Sequence, residues 1–154
     1  MNKFWLLSLV VGLACLQACR QDLELPRLPT NKLSDEEQIA VVLNDVHRGL
    51  ERKRIYMVLA HISHYYQDEE GRDYEAIRDL LTDRMRLYRE VRITRMRPRI
   101  SVQGDHAQVI ETLGASAQPF NPVNTPPIDL QGNVTVFLER MAHTWQITGY
   151  RTSH

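Results

Sequence analysis

The sequence predicts an α+β domain with its helices first and an antiparallel sheet after them. Three observations predict it. Apolar residues recur at helical spacing from Ile39 to Tyr88, they alternate with polar ones from Val91 onward, and Gly104-Asp105 punctuates two alternating runs as a hairpin turn. Helices followed by a meander of strands form segregated layers rather than a parallel sheet. The chain has 154 residues, a size that suits one such domain behind a short leader. Its 19 basic and 19 acidic side chains cancel, so no net field draws it to nucleic acid, and no nucleic-acid partner is expected.

The leader comes first. Lys3 supplies a positive start, Phe4 to Leu16 is almost unbroken apolar sequence, and Leu16-Gln17-Ala18-Cys19 closes it. The run is short of the roughly 20 apolar residues of a membrane span, and it has the layout of a secretory signal. Its end resembles the lipobox of bacterial lipoproteins. That resemblance implies a signal peptide over residues 1–18, lipidation of Cys19 (the palmitate class of modification), and attachment to a membrane facing the periplasm. Arg20 follows the cysteine where an aspartate would favour inner-membrane retention, so the outer membrane is expected. Cys15 would leave with the signal, so the remaining domain would hold no internal disulfide and no thiolate for zinc or nucleophilic chemistry.

Residues 19–33 read as a tether, with Pro26 and Pro29 preventing regular pairing. The domain is expected over residues 34–154. Ser34-Asp35-Glu36-Glu37 is a capping box, and the helix it starts carries Ile39, Val42, Leu43, Val46 and Leu50 on one stripe. A shorter helix presents Ile55, Val58, Leu59 and Ile62 and dissolves at Gln67-Asp68-Glu69-Glu70-Gly71. A third starts near Asp73 and presents Tyr74, Ile77, Leu80, Leu81, Met85 and Tyr88. Val91 and Ile93 then alternate, and Ile100 and Val102 alternate in the opposite parity, which calls for a bend or bulge near Pro98. The turn at Gly104-Asp105, extending to His106 in one reading, returns the chain through Ala107, Val109, Glu111 and Leu113. Residues 115–132, rich in proline, read as a long irregular connection. Val134, Val136 and Leu138 form the next strand, Met141-Ala142-His143 turns, and Trp145, Ile147 and Gly149 close the sheet, with Trp145 and Ile147 in the core. Arg84, Arg86, Arg89, Arg92, Arg95, Arg97 and Arg99 crowd one stretch, read as a solvated face paired with nearby carboxylates.

This order, with the stretch His64 to Gly71, the turn Gly104-Asp105-His106-Ala107-Gln108-Val109 and the terminal Trp145-Gln146-Ile147, resembles the nuclear transport factor 2-like superfamily over about residues 34–151. The resemblance implies a curved antiparallel sheet wrapped on about three helices as a cone with a pocket, often dimeric through the sheet. Members include ketosteroid isomerase, scytalone dehydratase, limonene epoxide hydrolase and non-catalytic binding domains, so the fold alone leaves the chemistry open. An isomerase-like Tyr and Asp pair and a dehydratase-like His and Asp pair find no matching positions here, which counts against an enzyme.

Candidate residues follow from these placements. His61 and His64, three apart, would share a helix face and could hold a metal with a carboxylate, but no partner motif accompanies them. They are read as surface or cone-rim residues, and no metal or cofactor is expected. Tyr65 and Tyr66 are expected to plug the wide end of the cone with their hydroxyls wet, and Asp68 to Gly71 to form an exposed turn, with Asp68 joining His61, His64, Tyr65 and Tyr66 as pocket or rim candidates. Glu111 shares the parity of Val109 and Leu113, which places a carboxylate on the apolar face. Because buried unpaired carboxylates are rare, the expected arrangement is one in which the curved sheet or a bulge returns it to solvent. The leading functional expectation is a membrane-tethered, non-catalytic binding or accessory lipoprotein of the cell envelope. It would hold a small apolar ligand in the cone or an envelope protein on its sheet face. The alternative is an isomerase, dehydratase or hydrolase type of enzyme using Glu111 with Tyr65 or Tyr66. A third reading is a structural module engaging an envelope complex through the sheet or the proline-rich connection.

Overall fold

A computed structural model describes residues 32–153. The predicted signal segment, Cys19 and almost all of the tether lie outside the described residues. Among the described residues three helices precede five strands: α1 (Asp35–Glu51), α2 (Ile55–Leu59), α3 (Tyr74–Leu87), β1 (Tyr88–Arg95), β2 (Arg99–Gln103), β3 (His106–Pro119), β4 (Ile128–Met141) and β5 (Thr144–Ser153). The architecture is α+β, with a curved, unclosed antiparallel sheet against the helices. Among the described residues no helix is long and apolar enough to cross a membrane.

Local chemistry sets the helix starts. Ser34 Oγ accepts from the Glu37 backbone N–H at 3.2 Å, and the Ser34 N–H donates to Glu37 Oε2 at 2.8 Å, completing the capping box. Asp73 caps α3 by accepting from the Ala76 N–H at 2.9 Å. α2 ends at Leu59, earlier than its apolar spacing predicts. Ile62 instead bridges Ile147 on β5, and the backbone of Ser63 and Gln67 bonds to β5 carbonyls at 2.9 Å each. The segment after α2 is therefore recruited by a sheet edge, whose unpaired groups outcompete another helical turn. Gly149 permits that approach, since a Cβ there would lie 2.6 Å from the Gln67 carbonyl oxygen.

The sheet order is β1-β3-β4-β5, with β2 also paired to β3. The two short strands share one edge of β3, β2 opposite residues 106–110 and β1 opposite residues 113–119. Met96 to Pro98 breaks them where the parity changes, as the sequence requires. His106 pairs with Gln103, so the turn is the two residues Gly104-Asp105, with Gly104 at φ +61°. The connection predicted over 115–132 is much shorter. β3 continues to Pro119 and β4 begins at Ile128, leaving only residues 120–127 irregular. Ala115, Ser116 and Ala117 are weak strand formers alone, but they pair with β1 on one side and β4 on the other. That pairing overrides their propensity.

The core lies between α1 and the sheet, where Ile39, Leu43, Val58, Val109, Leu138 and Trp145 are buried. Burying each such side chain is worth about 1.5–3 kcal/mol. The Arg140 guanidinium stacks 4.7 Å over the Trp145 ring and donates to Asp35 Oδ2 at 2.6 Å, tying the last hairpin to the first turn of α1. The arginine stretch is exposed as expected, but its predicted pairing is mostly absent. Among the described residues only Arg86 of this stretch reaches a carboxylate, Asp83 at 3.8 Å, while Arg95 turns to α1.

Candidate functional site

A cavity of about 260 Å³ opens between α1 and the concave sheet face. Its walls are mostly apolar: Leu43, Val46 and Leu50 from α1, Leu113 from β3, Val134 and Val136 from β4, Ile147 from β5. A second apolar space of about 150 Å³ shares Leu50, Leu81, Ile93 and Ala115 with it. Ala115 leaves room that a larger side chain would fill. Four polar side chains enter the first cavity wall: His47, Tyr66, Glu111 and Tyr150. Such a site, apolar with a few convergent polar groups, is the usual form of a small-molecule pocket.

Glu111 is buried, 1 % exposed, which corrects the expectation that curvature or a bulge returns it to solvent. Strand alternation holds without interruption from Ala107 to Leu113, because β3 is paired on both edges. Its Oε2 lies 3.4 Å from His47 Nε2, and its Oε1 is buried with no hydrogen-bond partner among the described residues. The 3.4 Å separation is longer than a formed hydrogen bond. His47 Nδ1 lies 2.8 Å from Arg95 Nη1, and Arg95 Nη2 donates to Asn44 Oδ1. Arg95 reaches this point because it stands opposite Leu113 in the helix-facing row of the sheet.

The second polar cluster is built on Asp68. The sequence places Asp68 in an exposed turn, yet its side chain is fully buried. Its carboxylate accepts from the Tyr66 hydroxyl at 3.2 Å, from the Glu70 and Arg72 backbone N–H groups at 3.0 and 2.9 Å, and from Arg72 Nε at 2.7 Å. Burial disfavours the carboxylate, but the Arg72 and Tyr66 hydrogen bonds outweigh it and hold Asp68 below the ordinary carboxylate range. Only the following residues, Glu69 to Gly71, are exposed. Arg72 Nη2 also donates to the Tyr150 hydroxyl at 2.6 Å. Burial pushes both phenols up, Tyr66 further because Asp68 sits beside it, so both remain neutral donors. The Tyr66 proton is committed to Asp68. Tyr150 accepts from Arg72 and lines the cavity, and its own proton is not used in that bond.

Tyr65 and Tyr66 therefore part company. Tyr66 is buried with its hydroxyl bonded, not wet, and Tyr65 is 83 % exposed and plugs nothing. The backbone alternates between the two directions as it bridges β5, so one ring goes in and the next goes out. His61 and His64 follow α2 rather than sharing a face of it: His61 lies 3.5 Å from Asp45, and the exposed His64 packs on Tyr74 at 4.6 Å between ring centroids. Among the described residues no group of three or more His, Cys, Asp and Glu is arranged to hold a metal ion.

Three residues of this site are missing from the sequence reading. His47 had a signal, since it lies on the apolar stripe of α1, four residues after Leu43 and three before Leu50. Arg95 had a weaker one, its parity with Val91 and Ile93. Tyr150 had none, because Phe137 pairs with Gly149 and Leu138 with Ile147, leaving Thr148 as an extra residue. That bulge reverses the parity and brings Tyr150, opposite Val136, onto the concave face.

No family model matches the chain, and no curated protein matches it in sequence. Solved structures do. A provisionally named scytalone dehydratase from Novosphingobium aromaticivorans superposes with a TM-score of 0.67 at 15% identity, over 77% of this chain and 84% of that one. A nuclear transport factor 2-like superfamily protein from Salmonella enterica gives 0.64 at 13% identity, over 77% and 89%. A hexachlorocyclohexane dehydrochlorinase gives 0.65 at 14%, over 77% and 83%. The fold is that of the nuclear transport factor 2-like proteins. At these identities the likeness speaks for the fold alone.

Proposed function

We propose that this domain is an acid–base catalyst for a small, largely apolar substrate, acting by proton transfer at a carbon next to a carbonyl-type oxygen. The observation that carries the reading is Glu111: a buried carboxylate in a cavity wall, with Oε2 facing His47 and Oε1 unpartnered. A buried polar atom without a partner costs about 1–3 kcal/mol. Active sites are among the places where such unpartnered groups collect, and Glu111 lines a cavity. In this reading Glu111 Oε1 takes the proton, the carbon's electron pair moves toward the substrate oxygen, and the Tyr150 hydroxyl donates to that oxygen. Return of the proton to a neighbouring carbon completes an isomerisation, and loss of a leaving group completes an elimination. The apolar walls exclude water and strengthen both interactions. Several of the structurally similar proteins carry dehydratase, dehydrochlorinase or isomerase names, which agrees with this class of chemistry.

The same reading places the domain on a membrane through lipidated Cys19, on the periplasmic side of the outer membrane. Its support is the leader sequence: the apolar run, Leu16, Ala18, and Arg20 after the cysteine. Growth with a labelled fatty acid should tag the wild type and not Cys19→Ala, and equal labelling of both would remove the anchor.

The catalytic test is exchange of carbon-bound protons with deuterated water. A panel of small cyclic ketones and enones followed by NMR should exchange with the wild type, and Glu111→Gln should slow that exchange by about 10²–10⁴-fold. Binding without exchange in the wild type would return the domain to a carrier or accessory role.

A further inference from the structure

The His47–Glu111 pair admits two assignments: the imidazole takes the substrate proton with the carboxylate behind it, or the reverse. We propose that Arg95 is the positioning residue that settles this, by occupying the His47 Nδ1 lone pair and leaving the ring proton on Nε2, so that Glu111 is the base and His47 its support. This deepens the reading above and rests on it for the reaction. The tautomer it requires does not depend on turnover.

Donors and acceptors decide the tautomer. A guanidinium carries five N–H donors and no acceptor. The 2.8 Å contact between Arg95 Nη1 and His47 Nδ1 is therefore a hydrogen bond donated by Arg95 to a bare ring nitrogen. The fork is held at a second point, since Arg95 Nη2 donates to Asn44 Oδ1 one helical turn before His47. A neutral ring with Nδ1 bare carries its proton on Nε2, the atom 3.4 Å from Glu111 Oε2. The opposite tautomer would set Nδ1–H against a guanidinium N–H and an Nε2 lone pair against a carboxylate, replacing two attractions by two repulsions.

With Nδ1 engaged and Nε2 protonated, His47 has no lone pair left for a substrate. The free acceptor is Glu111 Oε1. The step then balances within the pair and substrate: the C–H bond breaks, an O–H bond forms at Oε1, and the electron pair stays on the substrate. The His47 N–H, 3.4 Å from Oε2, attracts the carboxylate at that oxygen and leaves Oε1 as its unengaged acceptor, the part second partners commonly play for catalytic groups. Sequence spacing hides this arrangement. Arg95 and Leu113 are cross-strand partners, and Leu113 is the next helix-facing residue after Glu111, so base, support and positioning residue meet only in the folded sheet.

The test is the imidazole tautomer, read from long-range proton–nitrogen correlations on the uniformly ¹⁵N-labelled full chain. The His47 signals are assigned by their loss in His47→Asn. The wild type should show His47 with Nε2 protonated and Nδ1 bare. In Arg95→Met the fixed pattern should give way to a mixture containing the Nδ1-protonated ring, and Arg95→Lys should restore part of the original preference. A wild-type ring protonated on Nδ1 overturns the assignment whether or not the variants fold. So does an unchanged pattern in a folded Arg95→Met. Absence of proton exchange with the Nε2-protonated tautomer in place would sink the catalytic reading and leave the role of Arg95 intact. Exchange with the other tautomer would do the reverse.

Discussion

Two carboxylates face the same interior and are treated in opposite ways. Asp68 is buried and saturated: two backbone N–H groups, a phenol and a guanidinium donate to it, and the turn after residue 67 is wound around its side chain. Glu111 is equally buried but has one neighbour at 3.4 Å and one oxygen with no partner. The first arrangement is how a fold stabilises itself with a charge. The second leaves hydrogen-bonding capacity unspent at a cavity wall. The contrast separates a carboxylate that holds the structure from one held by it.

The two should therefore fail differently. The largest effect expected on stability is at the saturated site. Asp68→Ala strands Arg72 and two backbone donors and should cost about 3 kcal/mol in denaturant melts. Glu111→Gln should change stability by less than about 1 kcal/mol while removing proton-exchange activity. A Glu111→Gln cost as large as that of Asp68→Ala would erase the distinction.

The next test uses pH. Asp68 is held below its ordinary value when folded, so its contribution is fully present above the unfolded carboxylate pKa, about 4, and is lost as pH falls through the lower folded value. The stability gap between wild type and Asp68→Asn should thus be constant from pH 7 to 5 and shrink toward pH 2. A gap that widens on acidification would mean that the charge is not what Arg72 holds.

The two phenols sharpen the same contrast at smaller scale. Tyr66→Phe removes a donor to Asp68 and should cost about 1 kcal/mol of stability. Tyr150→Phe should cost less stability and more activity, about tenfold in exchange rate, because in the proposed reaction its hydroxyl donates to the substrate oxygen. The reverse ranking would place the ligand-facing donor at the wrong tyrosine. The one stabilising change lies away from both clusters. Ala142 and His143 form the β4–β5 turn at φ +46° and +72°, a conformation suited to Asn-Gly. Replacing both accordingly should raise stability by about 1 kcal/mol and leave exchange untouched.

The parts legible in advance were those whose signal is local. The capping box at Ser34 and Glu37, the cap at Asp73, the parity break near Pro98 and the two-residue turn at Gly104 each depend on neighbours within a few residues. Alternation also put Glu111 on the apolar face, and the error lay in preferring to turn it out. The misread parts were those where partners far apart in sequence decide. α2 stops at Leu59 because β5 takes the following backbone, and β3 runs on to Pro119 because β1 and β4 pair with it.

The sequence by itself determined the order of helices and strands, the hairpin turn and the in-facing row of β3, because periodicity and turn chemistry are written within a few residues. Only the tertiary structure decided the site. His47 and Glu111 lie on separate elements that meet across the core, Arg95 reaches them through strand pairing, and one extra residue at Thr148 turns Tyr150 inward. The physical reason is the same each time. A hydrogen-bond partner or a strand register across the core is a property of packing, and no local spacing encodes it.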